Sequence, residues 1–112
     1  MPDARHFYFV MAKDISDESK RYEEAIAGHN IAVKYAPNND EAWVKRGMVL
    51  DDWERYEEAI ASYDKALEIN PGSYCAWHSR GIALDALDRF EEAITSYDKA
   101  LELVYKVNLK HR

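Results

Sequence analysis

One six-residue phrase occurs three times in this chain at a fixed spacing. Arg21-Tyr22-Glu23-Glu24-Ala25-Ile26 returns as Arg55-Tyr56-Glu57-Glu58-Ala59-Ile60, and again as Arg89-Phe90-Glu91-Glu92-Ala93-Ile94, each time 34 residues on. A period of this length marks stacked supersecondary units, none of which can bury its apolar face alone. Stacked units present an extended concave surface rather than a closed pocket. The periodicity therefore points to a binding architecture before any single residue does.

Residues 40–73 and 74–107 align without gaps, and just over half of the paired positions are identical. Matched pairs include Ala42/Ala76, Trp43/Trp77, Gly47/Gly81, Leu50/Leu84, Tyr63/Tyr97 and Ala66/Ala100. A first unit, about residues 6–39, matches only in its second half. Each unit reads as two helices. Apolar residues at 43, 44, 47, 48, 50 and 53 have helical spacing, and a second helical stripe follows a break near Glu54-Arg55. Asn70-Pro71-Gly72-Ser73 ends that second helix, because proline cannot continue it and Ser73 can cap the next one. Ala36-Pro37-Asn38-Asn39 acts in the same way one period earlier, with Asn39 or Asp40 as the cap. Gly47 and Gly81 predict close helix approach, with Trp43, Trp77, Tyr63 and Tyr97 expected to be buried. Phe7-Tyr8-Phe9-Val10-Met11 is rich in strand formers, yet a strand would have no partner here, so a helix is favoured.

These units resemble tetratricopeptide repeats. The residues that carry the resemblance are Trp43, Gly47, Leu50, Ala59, Tyr63 and Pro71 in the second unit, and Trp77, Gly81, Leu84, Ala93 and Tyr97 in the third. Phe9, Ala25 and Pro37 carry it in the first. The resemblance implies an all-α fold: an α-solenoid of helix-turn-helix repeats in a right-handed superhelix. It implies one domain over residues 1–112; past Leu101 no Pro or Gly stops the apolar run, so the final helix is expected to extend to about Asn108 or Lys110. Departures from the pattern are Arg46 and Arg80 in place of leucine, Lys13 and His29 in place of Gly and an aromatic, and Tyr105 in place of the closing proline.

The chain has 112 residues, 47% apolar and 32% charged, with a net charge of -6. Nucleic-acid phosphates require clustered Lys and Arg, so the acidic balance argues against nucleic acid and equally against an anionic membrane surface. A single cysteine, Cys75, suits a reducing compartment. The charged N-terminus is not that of a signal peptide, and residues 7–12 are too few to cross a membrane. The expected location is cytoplasmic.

Candidate chemistry is sparse. Cys75 and His78 share a helix face, but neither a metal site nor a nucleophile can be completed from them. The paired glutamates open helices, where they meet the positive end of the helix dipole. Arg46 and Arg80 are expected to pair with Asp64 or Asp98, since the first unit lacks both the arginine and the aspartate. No catalytic residue, metal or cofactor is expected.

Family resemblance places the first helix of each unit on the concave surface. That assigns Glu41, Val44, Lys45, Met48, Asp51 and Asp52 to a groove, with Cys75, His78, Ser79, Ile82, Asp85 and Ala86 opposite. Asp14, Asp17 and Glu18 would extend its acidic end. The implied partner is a protein or peptide, apolar with basic flanks. Some members of the family hold acidic chaperone tails with a clamp of basic and amide side chains. The corresponding positions here are Val10, Asp14, Lys45, Cys75 and Ser79, which speaks against that ligand. The apolar run from Leu101 to Leu109 leaves an uncapped end: either the array is meant to continue or another copy covers it, the latter expected as a homodimer through residues 94 to 109.

Overall fold

The computed structural model describes the backbone of residues 4–110 and the side chains of residues 17–106. Five helices follow one another: α1 (Ala4–Tyr35), α2 (Asp40–Asp52), α3 (Tyr56–Ile69), α4 (Tyr74–Ala86) and α5 (Phe90–Lys110). Among the described residues there is no strand, and each helix packs on the next to give a body of 66 × 33 × 25 Å. The fold is an all-α solenoid.

The caps follow from the turn residues. Asn39 accepts from the Ala42 N–H at 3.3 Å and Ser73 from the Ala76 N–H at 3.2 Å, so each occupies a helix N-cap. Within each hairpin the turn is a left-handed residue, Glu54 or Asp88, both at φ 59°. Arg55 N–H reaches the Leu50 carbonyl at 2.8 Å and Glu54 N–H reaches Asp51 at 2.9 Å. Arg89 and Asp88 repeat this on Leu84 and Asp85 at 2.9 and 3.0 Å. These paired bonds satisfy carbonyls that a helix end otherwise leaves open.

Glycine permits each hairpin to close. A Cβ on Gly47 would stand 2.5 Å from Tyr63 Cε1, and one on Gly81 would stand 2.6 Å from Tyr97 Cε1. Tyr63 is fully buried in consequence, while Tyr97, at the open end of the stack, is half-buried. Trp43 and Trp77 are also half-buried rather than buried as expected. Each indole N–H must find an acceptor, and it does so at the surface turn, on Pro37 O at 3.0 Å and Pro71 O at 2.8 Å.

The first unit departs from expectation. It is not a helix pair, so the stack holds two hairpins and one long helix rather than three pairs. Residues 7–11 are helical, as favoured, but α1 continues through the place where a turn was expected. Lys20, the counterpart of Glu54 and Asp88, lies inside α1. No Gly or Pro interrupts residues 13–21, and the Gly–Tyr pair that closes the other hairpins is replaced by Lys13 and His29. At the other end α5 runs to Lys110, as the missing proline led us to expect.

Candidate functional site: the cleft between α2 and α4

The repeated arginines fix how successive units lie. Arg46 donates from Nε to Asn30 Oδ1 at 2.7 Å and from Nη1 to Ser62 Oγ at 2.5 Å. Arg80 does the same to Asp64 Oδ1 at 2.7 Å and to Ser96 Oγ at 2.5 Å. Each guanidinium thus bridges the preceding unit, α1 for Arg46 and the α2–α3 hairpin for Arg80, and its own hairpin. The expected pairing holds for Arg80 with Asp64. Arg46 instead meets Asn30, which occupies the same phase one period earlier, so an aspartate is not required there. Ser62 and Ser96 went unnoticed in the sequence, although their common offset of 16 residues from the arginines was a usable signal.

With that spacing set, α2 and α4 line a cleft of about 570 Å³. Of the expected residues, Glu41, Val44, Lys45, Met48, His78 and Ser79 lie in its wall together with Cys75. Val44 is buried, whereas Met48 is 50% exposed. Lys45 pairs with Glu41 at 3.3 Å, both largely in water, so the pair contributes little to stability. Tyr74 completes the apolar wall. It was missed because its counterpart in the second unit is Asp40, yet its position four residues before His78 is the spacing of a helical contact. The two rings stack at 5.7 Å with an interplanar angle of 8°, and His78 also meets Tyr97 at 6.0 Å. The imidazole is therefore positioned by aromatic rings.

Asp51, Asp52, Ile82 and Asp85 do not line this cleft. Burial, and then the Asp52 carboxylate beside it, push the Asp51 carboxyl above the usual range. Tyr63 ends near Ser79 with its hydroxyl buried and without a well-formed hydrogen bond. Burial, followed by the Asp51 charge, pushes that phenol up. Asp52 and Glu18 instead rim a second cleft of about 280 Å³ with Tyr22 and Trp53. Glu18 therefore does not extend the α2–α4 cleft, and the side chain of Asp14 lies outside the described residues, as does that of Val10. The α1 side of the second cleft, Glu18, Ser19 and Tyr22, belongs to the stretch where the helix runs on in place of the expected turn. Tyr22 stacks on Trp53 at 5.8 Å, and the Arg55 guanidinium lies over the Trp53 ring at 4.5 Å.

The recurrent phrase has a local role. Arg55 forks onto Glu58 at 2.5 and 2.7 Å, and Arg89 reaches Glu92 at 2.6 Å, across the first turns of α3 and α5. The glutamates so engaged are helix-start residues. Among the described residues no three His, Cys, Asp or Glu side chains gather as a metal site, and no helix is long and apolar enough to cross a membrane.

The Tetratricopeptide repeat profile matches residues 40–73 and again residues 74–106. No curated protein matches significantly in sequence. Among solved structures, a crystal structure of MamA superposes with a TM-score of 0.76 and 30% identity over 79% of this chain and 52% of that one. The chain thus spans about half the length of that protein. The second TPR of Spaghetti (RPAP3), bound to the HSP90 peptide SRMEEVD, superposes at 0.71 with 24% identity over 77% of this chain and 80% of its own. The Arabidopsis OM64 TPR domain gives 0.71 at 23% identity, with 80% and 74% covered. Both of these share the fold. With two repeats matched in register and the hairpin geometry described above, this chain belongs to the tetratricopeptide repeat family.

Proposed function

We propose that the chain is a protein-interaction scaffold that holds a segment of a partner in the cleft between α2 and α4. The observation that carries this reading is Met48, a large apolar side chain half-exposed on the wall of a cleft that Tyr74 and buried Val44 also line. Exposed apolar surface in a concavity is what a ligand's anchor residue covers. Asp40 and Glu41 rim the same cleft, and the whole chain carries a net charge of -6. An apolar segment with Lys or Arg flanks complements both features. Neither nucleic acid nor an anionic membrane fits that charge. Cys75 and His78 form part of the cleft wall, where His78 stacks on Tyr74 and meets the tilted ring of Tyr97. The single cysteine supports a cytoplasmic setting.

Selection of displayed random peptides on the immobilised chain tests the reading. Selected sequences should combine an apolar anchor with basic flanks. Met48→Glu should weaken them at least about tenfold, or about 1.4 kcal/mol, and Glu41→Lys should weaken those with basic flanks. Peptides that bind the Met48→Glu variant undiminished would show that the cleft is not the site.

A further inference from the structure

The second cleft lies at the C-terminal end of α2, beyond the residues that line the α2–α4 cleft. Glu18, Ser19 and Tyr22 of α1 line its 280 Å³ together with Asp52, Trp53 and Glu54. Two of these side chains form an aromatic platform. Tyr22 and Trp53 stack at 5.8 Å with an interplanar angle of 19°, and both are half-buried. Rings held against each other in this way need little further ordering when a ligand arrives.

The charge around the platform is unopposed. Among the described residues none of Glu18, Asp52 and Glu54 pairs with a cation. α2 ends here without a basic residue in its last turn, so the negative end of its dipole adds to theirs. Burial, then the charges of Glu18 and Asp52, push the Tyr22 phenol above its ordinary value, and Glu54 acts in the same direction. The carboxylates nevertheless do not gather as a metal site. Their spread around two rings suits a larger cation that is flat, delocalised and rich in donors, which is a guanidinium. The molecule itself shows the match. The Arg55 guanidinium lies over Trp53 at 4.5 Å, outside the cleft lining, and its charge is taken up by Glu58.

We propose that this cleft receives an arginine side chain from a partner protein, its guanidinium lying against the Tyr22–Trp53 platform and its N–H groups donating to the carboxylates of Glu18, Asp52 and Glu54. Lysine fits less well, because its ammonium is a compact, strongly hydrated charge that does not stack and has no planar fork. The site is separate from the α2–α4 cleft, and its occupancy does not depend on the reading of that cleft.

Trp53 is a built-in reporter, since the indole N–H groups of Trp43 and Trp77 are tied to proline carbonyls at other turns. In nitrogen–proton correlation spectra, Nα-acetyl-arginine methylamide at millimolar concentration should shift the Trp53 indole resonance saturably and leave the other two in place. The citrulline analogue has nearly the same shape without the charge and should not shift it. The corresponding lysine derivative should bind at least about threefold more weakly. Free arginine carries a carboxylate that meets the acidic rim, so it too should bind more weakly. The double variant Glu18→Gln, Asp52→Asn alters exposed positions and should weaken the arginine derivative at least about fivefold. Glu57→Gln, an exposed carboxylate of α3 outside the cleft, should not. Thermal melts should show both variants folded. An unmoved Trp53 resonance, or citrulline or lysine binding as tightly as arginine, would overturn the proposal. So would equal weakening by Glu57→Gln, which would mean diffuse attraction to an acidic chain. Tighter binding of free arginine would make the occupant the amino acid rather than a protein.

Discussion

Residues 22–35 and residues 56–69 begin with nearly the same words, yet they sit in different structures. In the second unit the phrase opens a short helix, after a left-handed residue and under an Arg–Glu fork. In the first unit it lies in the middle of a 32-residue helix. The phrase therefore specifies the face that packs, with Ile26 and Ile60 both buried, but not the turn. The turn is written elsewhere, in the contact between Gly47 and Tyr63 that draws α2 against α3. Lys13 and His29 stand in those places in the first unit, and without that contact the chain keeps its helical course.

The largest way to break this contrast is to remove the tyrosine. Tyr63 is fully buried against Gly47, and Tyr63→Ala leaves a void the size of a ring. Replacing a buried aromatic with alanine costs about 3–5 kcal/mol. His29→Ala, at the same phase but only half-buried on α1, should cost under about 1 kcal/mol. Urea titrations of the two variants should differ accordingly. Equal losses would mean that the ring does not hold the hairpin.

A smaller effect, but one with opposite signs, comes from the glycines. On α1 a methyl added at Gly28 would meet nothing within 4 Å, so Gly28→Ala should stabilise by about 1 kcal/mol through helix propensity. Gly47→Ala gains the same propensity but pushes a methyl into a ring that burial holds in place. Overpacking costs about 1–3 kcal/mol, so the net change should be a loss. At about 4–8 °C per kcal/mol for a domain near this size, the two melting temperatures should move in opposite directions.

The sequence spoke most clearly where identity recurred in register. The Ser73 cap, the break near residue 54 and the close helix approach at Gly47 and Gly81 were legible because the units recur at one spacing, whereas the ring that each glycine meets was expected in the wider gaps. Arg80 on Asp64 was legible for the same reason. Three things were not. The unbroken course of α1 follows from a contact that is missing, and the resemblance in residues 22–39 concealed that loss. Half-burial of Trp43 and Trp77 follows from the indole's need for a carbonyl, which the apolar pattern does not record. The cleft wall at Tyr74 was hidden because repeat logic looks for matching residues, and here the second unit has Asp40. Where the units differ, the site is least readable, since a binding surface is free to vary while the packing beneath it is not.

The smallest expected effect concerns the acidic end of α2, where the two hairpins again differ. The second unit has Asp51-Asp52, whereas the third has Asp85-Ala86. Burial and the neighbouring Asp52 charge raise the Asp51 carboxyl, so the folded chain holds this proton to higher pH than the unfolded chain does. Folded protein then binds more protons in that window, and stability falls as pH rises from the ordinary aspartate range through the raised one. Ionised Asp51 is thus a mild liability at neutral pH. Asp52→Ala, which imports the residue of the third unit, removes the adjacent like charge and should relieve part of it. Asp51 remains partly exposed, so solvent screening keeps the gain under about 1 kcal/mol. Thermal melts at pH 7 and pH 4 should show the variant more stable than the parent at the higher pH and nearly equal to it at the lower. A gain of the same size at both would mean that alanine's helix propensity, rather than the lost charge, accounts for the difference.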